Sequence, residues 1–247
     1  IANKQPNAAK LSYPESIANG VKIDWTNYVP PQPNVLGQHI LKNYPLATLV
    51  PYFDWTPFFI SWGLAGKFPA ILTDEVVGEA ATDLYQQAQI MLKEIVSKQL
   101  FDARAVFSLA PAKRTAADTV AIYDEQQHAT HKFEHTRQQS DKVSGKPNFS
   151  LADFIAPADT NLEDYLGGFT VSIFGAEEMA HEYKAKGDDY SAILAQSLGD
   201  RFAEAFAEHL HERIRKEFWG YQAAEQLTNA ELIKEKYVRN RPAPGYP

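Results

Sequence analysis

The sequence contains no cysteine, only two methionines, and no uninterrupted apolar stretch of bilayer length in its 247 residues. The missing thiol excludes a disulfide framework, a thiolate zinc site, an iron-sulfur cluster and a cysteine nucleophile together. A bilayer-spanning helix needs about 20 consecutive apolar residues, and none are found. Positive charge is also scarce: 24 Lys and Arg against 31 Asp and Glu leave a net charge of −7. That balance disfavours wrapping a phosphate backbone, which demands clustered cations, so nucleic acid is not an expected partner. The opening Ile1-Ala-Asn-Lys-Gln-Pro6 lacks the apolar core of a secretory signal. It reads as part of a longer cytosolic chain, with a cytoplasmic location expected.

What is present is enough for a sizeable core, since 45% of residues are hydrophobic and 22% charged. At this length folding buries roughly three quarters of the unfolded chain's surface. Residues 1–50 hold Pro6, Pro14, Pro30, Pro31, Pro33 and Pro45 and no sustained period, which predicts a loop-rich arm on a domain spanning 51–247. The aromatic run Tyr52 to Trp62 predicts buried packing. A helix is expected from Thr73 to about Lys98, with Val76, Ala80, Leu84, Ala88, Met91 and Ile95 on one face. Short β-rich runs at 104–110, 119–123, 149–155 and 168–174 follow without helices between them, which predicts an antiparallel sheet. Helical spacing returns at 176–186 and 189–218, with a last amphipathic piece at 229–237. The expected fold class is α+β, a single domain with a central antiparallel sheet flanked by long helices.

Several candidate sites dissolve on inspection. His128, His131 and His135 suit an extended segment, where the last two stand about 13 Å apart, too far to share one metal ion. His209 and His211, two apart on a helix, lie on different faces. The pairs Glu177-Glu178 and Asp188-Asp189 fit helix starts, where negative charge is favoured. Gly63-Leu-Ala-Gly66 has neither the length nor the Lys of a phosphate loop, and no Gly-x-Ser-x-Gly elbow occurs.

Two polar groups in stiff surroundings remain. Asp54 lies between Phe53 and Trp55, with Pro51 and Pro57 outside them, and is either a turn former or a ligand anchor. Arg241-Pro-Ala-Pro-Gly-Tyr246 is either a connection or a rigid edge. As an edge, it offers a carbonyl at Ala243 and N–H groups at Gly245 and Tyr246 to a flat heterocycle, and Arg241 to a carboxylate.

Blocks in one order across the chain carry a resemblance. They are Asp54-Trp-Thr-Pro-Phe-Phe59, Trp62-x-Leu-x-Gly-Lys-Phe-Pro69, Asp74-Glu-Val-Val-Gly78 and Leu151-Ala-Asp-Phe-Ile-Ala-Pro157. Ala203-Glu-Ala-Phe-Ala-Glu208 with His211-Glu-Arg213, Trp219-Gly-Tyr221 and Arg241-Pro-Ala-Pro-Gly-Tyr-Pro247 complete the set. Together they closely resemble the activation domain of cobalamin-dependent methionine synthase.

The resemblance implies a module that binds S-adenosylmethionine and supports reductive methylation of oxidised cobalamin, so that methyl transfer from methyltetrahydrofolate to homocysteine resumes. It implies two partners: the corrinoid-binding module of the same polypeptide, which holds the cobalamin, and a flavodoxin-type electron donor. It implies Arg241 on the ligand carboxylate, Asp54 near the ammonium, and the backbone of Ala243 and Tyr246, with Gly245 between, on the adenine edge. Glu204 matches a further ligand contact, and no residue is assigned a catalytic or metal-binding role. The family domain continues beyond the last block, so the fragment is expected to bind weakly and to turn over nothing alone. The alternative is a non-catalytic interaction module that docks a corrinoid domain or flavodoxin-type donor without binding S-adenosylmethionine.

Overall fold

The structure is a computed structural model that describes residues 10–124, 126–142, 145–238 and 241–242. Its fold is α+β, an antiparallel sheet with long helices, as the alternation of strand-like and helical runs predicts. Five strands, β1 (Gly37–Tyr44), β2 (Asp102–Ala116), β3 (Thr119–Tyr123), β4 (Ala129–Glu134) and β5 (Asp164–Phe174), follow the path β1-β2-β3-β4, with β5 also on β2. The chain divides into two compact units, Ile1–Gln38 with Ser108–Gly168 and His39–Phe107 with Phe169–Pro247.

The first unit is built on the antiparallel pairs β2–β3 and β3–β4, in register at Ala112↔Ile122 and Ile122↔His131. Ala112, Val120, Ala152 and Ile155 form its apolar cluster. Its other centre is polar. Arg137, almost fully buried, reaches Asp153 at 2.6 Å and Asp118 at 2.7 Å, and donates to the Asn148 carbonyl at 2.8 Å. Short helix α1 (Tyr13–Ala18), closed by a Ser12/Glu15 capping box, adds the Tyr13 hydroxyl to Asp118 at 2.7 Å. The expected strand at 149–155 is instead a 3-10 turn, Leu151–Phe154, because Asp153 caps the Ser150 N–H and then anchors Arg137. The expected loop-rich arm likewise contains α1 and β1. The histidine-bearing segment is extended, as expected, and β4 is exposed along its whole length.

The second unit is organised around the 25-residue helix α6 (Asp189–Arg213). Its apolar stripe, Leu194, Leu198, Phe202, Ala205, Phe206, Leu210 and Ile214, is buried as its spacing predicts, but Ile193 is exposed. Against it lie α2 (Leu46–Leu49), α3 (Trp55–Ser61), α4 (Gly78–Lys98) and α5 (Ala176–Ala185). The aromatic run packs as expected: Phe53, Trp55, Phe58 and Phe59 are buried, and the Phe53 ring meets Phe202 edge-on at 4.8 Å. Helix α4 begins five residues later than the sequence suggests. Thr73 ends a 3-10 turn, Asp74 accepts from the Val76 and Val77 N–H groups, and the buried stripe runs through Ala81 rather than Val76 and Ala80. At Gly199 a side chain's Cβ would stand 2.7 Å from Ala176, so the α5–α6 approach uses the missing carbon. A wider π turn, Ile214–Phe218, closes α6. Helix α7 (Asn229–Leu232) is only the first part of the expected 229–237 piece.

Candidate functional site

Glu204, Glu208, His211 and Arg215 follow one another along α6 and its π-turn extension at spacings of four, three and four. At about 100° per residue these spacings place them in one narrow arc, away from the apolar stripe. Tyr237 and Arg241 each meet this polar strip. The Tyr237 ring sits over the Arg215 guanidinium at 4.4 Å and meets His211 edge-on at 4.8 Å. Four residues on, the Arg241 guanidinium donates to Glu208 Oε1. Arg241 thus meets α6 nearer its N-terminus than Tyr237 does, at Glu208, one turn after Glu204.

Arg215 anchors the strip. It has no solvent exposure, and its Nε and Nη2 grip Glu225 at 2.9 and 2.5 Å. Three buried polar atoms on the strip lack a hydrogen-bond partner among the described residues: Glu208 Oε2, His211 Nδ1 and Arg215 Nη1. Burial pushes the Glu208 carboxyl up despite the opposing pull of Arg241 and Arg215. Burial, aided by the same two cations, lowers His211 to about 3, so the ring is neutral near pH 7. The strip thus combines a cation reachable from solvent, a half-satisfied carboxylate beside it, and the buried side chains of His211 and Arg215 behind.

The two residues expected to grip the ligand's ends stand in different relations to α6. Asp54 is the N-cap of α3, its Oδ1 accepting from the Thr56 N–H at 2.9 Å, so the turn-forming role is present in full. Its neighbour Phe53 packs on Phe202 and accepts at its carbonyl from Asn229 Nδ2 at 3.4 Å. Glu208 follows Phe202 by six residues, about 9 Å along the helix axis at 1.5 Å per residue. Among the described residues no hydrogen bond or ion pair links Asp54 to Arg241. Glu204 is exposed, one turn before Glu208. Ala243, Gly245 and Tyr246 lie outside the described residues.

The sequence alone assigns no role to Glu208, Arg215 or Tyr237, and the offset of His211 from His209 marks neither as a site residue. The available signal was the spacing of polar residues on a helix whose other side is apolar. His209 faces elsewhere, as its offset from His211 requires, and shares a 2.7 Å hydrogen bond with the Tyr44 hydroxyl. The carboxylates at the starts of α5 and α6 serve those starts: Glu178, in the first turn of α5, accepts from the Gly175 N–H, and Asp188, the N-cap of α6, from the Ser191 N–H. Among the described residues no cluster of three metal-ligating side chains occurs, and no helix is long and apolar enough to cross a membrane.

With this geometry in place, comparison with known proteins fixes the class. The family model for the activation domain of vitamin B12 dependent methionine synthase matches residues 45–247. The chain belongs to that family, and is therefore one module of a methyltransferase. A crystal structure of the MetH reactivation domain bound to AdoHcy is similar at a TM-score of 0.92 and 43% identity, covering 96% of this chain and 73% of that one.

Proposed function

We propose that this chain binds S-adenosylmethionine beside the polar strip of α6 and so serves reactivation of a cobalamin-dependent methionine synthase. The single observation that carries the site is the pairing of Arg241 with Glu208, which leaves a partly exposed guanidinium next to a buried Glu208 Oε2 that has no hydrogen-bond partner among the described residues. An amino-acid ligand is a zwitterion, and this donor set suits its carboxylate. The ligand of the similar crystal structure, AdoHcy, shares every polar group of S-adenosylmethionine except the charge on sulfur. Arg241 takes the carboxylate through a charge-assisted fork. Asp54 faces the ammonium, in addition to capping α3. Glu204 lines the same strip, and Ala243, Gly245 and Tyr246 read the adenine edge.

When bound, S-adenosylmethionine supplies an electrophilic methyl group for reduced cobalt. The residues of this chain orient the donor and exclude water from the His211 side of the strip; none has to move a proton, so positioning is the contribution. The cobalamin belongs to a neighbouring corrinoid module. This sequence lacks an Asp-x-His-x-x-Gly corrinoid motif. The electron comes from a flavodoxin-type donor, the setting is the cytoplasm, and the chain alone turns over nothing.

The test is a melting curve with and without S-adenosylmethionine. Binding to the folded state alone raises apparent stability, by about 2.7 kcal/mol at a hundred times Kd. A rise that saturates with ligand supports the reading; no shift at millimolar concentrations contradicts it and favours a docking module without a nucleoside site.

A further inference from the structure

Among the described residues, the hydrogen bond that holds the Arg241 guanidinium is the one to Glu208, while Tyr237, four residues earlier, packs on Arg215 and His211. A guanidinium on a long flexible stem must be ordered before it can fork onto a carboxylate, and a site gains affinity when that ordering precedes binding. Glu208 suits the task. It projects from the C-terminal third of a long, packed helix, and among the described residues it takes the Nη2 corner of the guanidinium. A guanidinium carries five N–H donors in a planar fork, so an edge remains for a second carboxylate.

Glu208 is also poorly explained by stability. Its Oε2 is buried without a partner among the described residues, and burial already works against its charge. A half-satisfied buried carboxylate costs the fold more than a neutral isostere of the same shape. The arrangement therefore gives up stability at the point where the ligand arm meets α6.

We infer that Glu208 is a positioning residue for the methyl donor, holding the Arg241 guanidinium on α6 so that its free edge meets the ligand's α-carboxylate already oriented. This rests on the S-adenosylmethionine reading above. Tyr237, four residues earlier in the chain, rests on the same strip, with His211 and Arg215 as the surface under its ring. The inference differs from two other roles open to a carboxylate here. If Glu208 competed with the ligand for Arg241, its neutralisation would tighten binding. If it met the ligand ammonium directly, its loss would weaken ligands with and without a carboxylate alike.

The experiment titrates the full chain and its Glu208→Gln and Arg241→Ala variants with S-adenosylmethionine and with its decarboxylated analogue. Positioning predicts that Glu208→Gln weakens S-adenosylmethionine about tenfold. The same variant should leave the decarboxylated analogue within about twofold and the melting temperature equal or higher. In Arg241→Ala the two ligands should bind alike, and adding Glu208→Gln should cost nothing further. Unchanged or tighter S-adenosylmethionine binding in Glu208→Gln, or equal weakening of both ligands, overturns the inference. If Arg241→Ala itself leaves discrimination intact, the carboxylate assignment to Arg241 fails first, a result distinct from failure of the Glu208 role alone. Should Glu208→Gln not fold, Glu208→Asp withdraws the carboxylate by one methylene and is judged by the same ligand comparison.

Discussion

Arg215 and Glu225 form a two-pronged ion pair, Nε to Oε2 at 2.9 Å and Nη2 to Oε1 at 2.5 Å, with both side chains essentially shut off from water. It ties the π turn at the end of α6 to the chain ten residues later, and it sets the cation on which Tyr237 rests.

Breaking this pair from one side leaves the other charge buried and alone. Glu225→Ala is expected to cost about 3–5 kcal/mol of stability, within the range for half-broken buried pairs. Denaturant unfolding measures it. A loss under about 1 kcal/mol would show that water reaches Arg215 in the folded protein.

Gly175 precedes α5 with φ of +98°, and a Cβ there would stand 2.4 Å from the Leu100 carbonyl oxygen. Both the dihedral and the backbone clash oppose any side chain, so Gly175→Ala should destabilise by about 2–4 kcal/mol. Thermal unfolding of the variant within a degree of the parent would disprove the close approach of the Leu100 carbonyl.

Asp54 offers a separation of roles. Asn caps helices as well as Asp does, so Asp54→Asn should leave stability within about 0.5 kcal/mol, while Asp54→Ala costs about 1 kcal/mol. If Asp54 also faces the ligand ammonium, Asp54→Asn nevertheless weakens S-adenosylmethionine. Parallel melting and binding curves decide: equal binding by Asp54→Asn and parent reduces this residue to a cap.

His211 gives the second unit a pH dependence of definite sign. Its folded pKa, about 3, lies below the usual 6.5, so the unfolded chain takes up the proton first. The contribution is fully present above about pH 6.5 and is lost as pH falls towards 3. On the order of 2–4 kcal/mol is at stake for so buried a ring. Glu208 acts oppositely, since a raised carboxyl favours the fold only while protonated and that favour fades as pH rises through its folded value. Unfolding free energies of His211→Gln should therefore fall less steeply than the parent's between pH 6 and 4; parallel slopes would contradict the depressed ring.

The long elements were legible because their periods are local. β3, β5, α5 and α6 all lie where spacing put them. The 149–155 segment departs from its strand-like pattern for a tertiary reason: Ser150 and Asp153 close a turn whose other partner, Arg137, comes from elsewhere in the chain. The start of α4 was misplaced because Asp74 caps a turn ahead of the helix, and a cap looks the same in sequence whether or not the helix follows at once.

The site divides in the same way. Arg241 and Asp54 stood out for their rigid neighbours, and the family blocks pointed to both. Glu208 meets Arg241 across 33 positions, a tertiary contact, and nothing local to Ala203-Glu-Ala-Phe-Ala-Glu208 announces it. Tyr237 on Arg215 is hidden for the same reason.

The central claim is that Arg241, carried on α6 by Glu208, is the carboxylate partner of a bound methyl donor. Isothermal titration of S-adenosylmethionine into the parent chain and into Arg241→Ala tests it most directly. Loss of a charge-assisted fork, at a few kcal/mol, predicts a drop in affinity of about a hundredfold. Equal affinity in the two proteins would contradict the account.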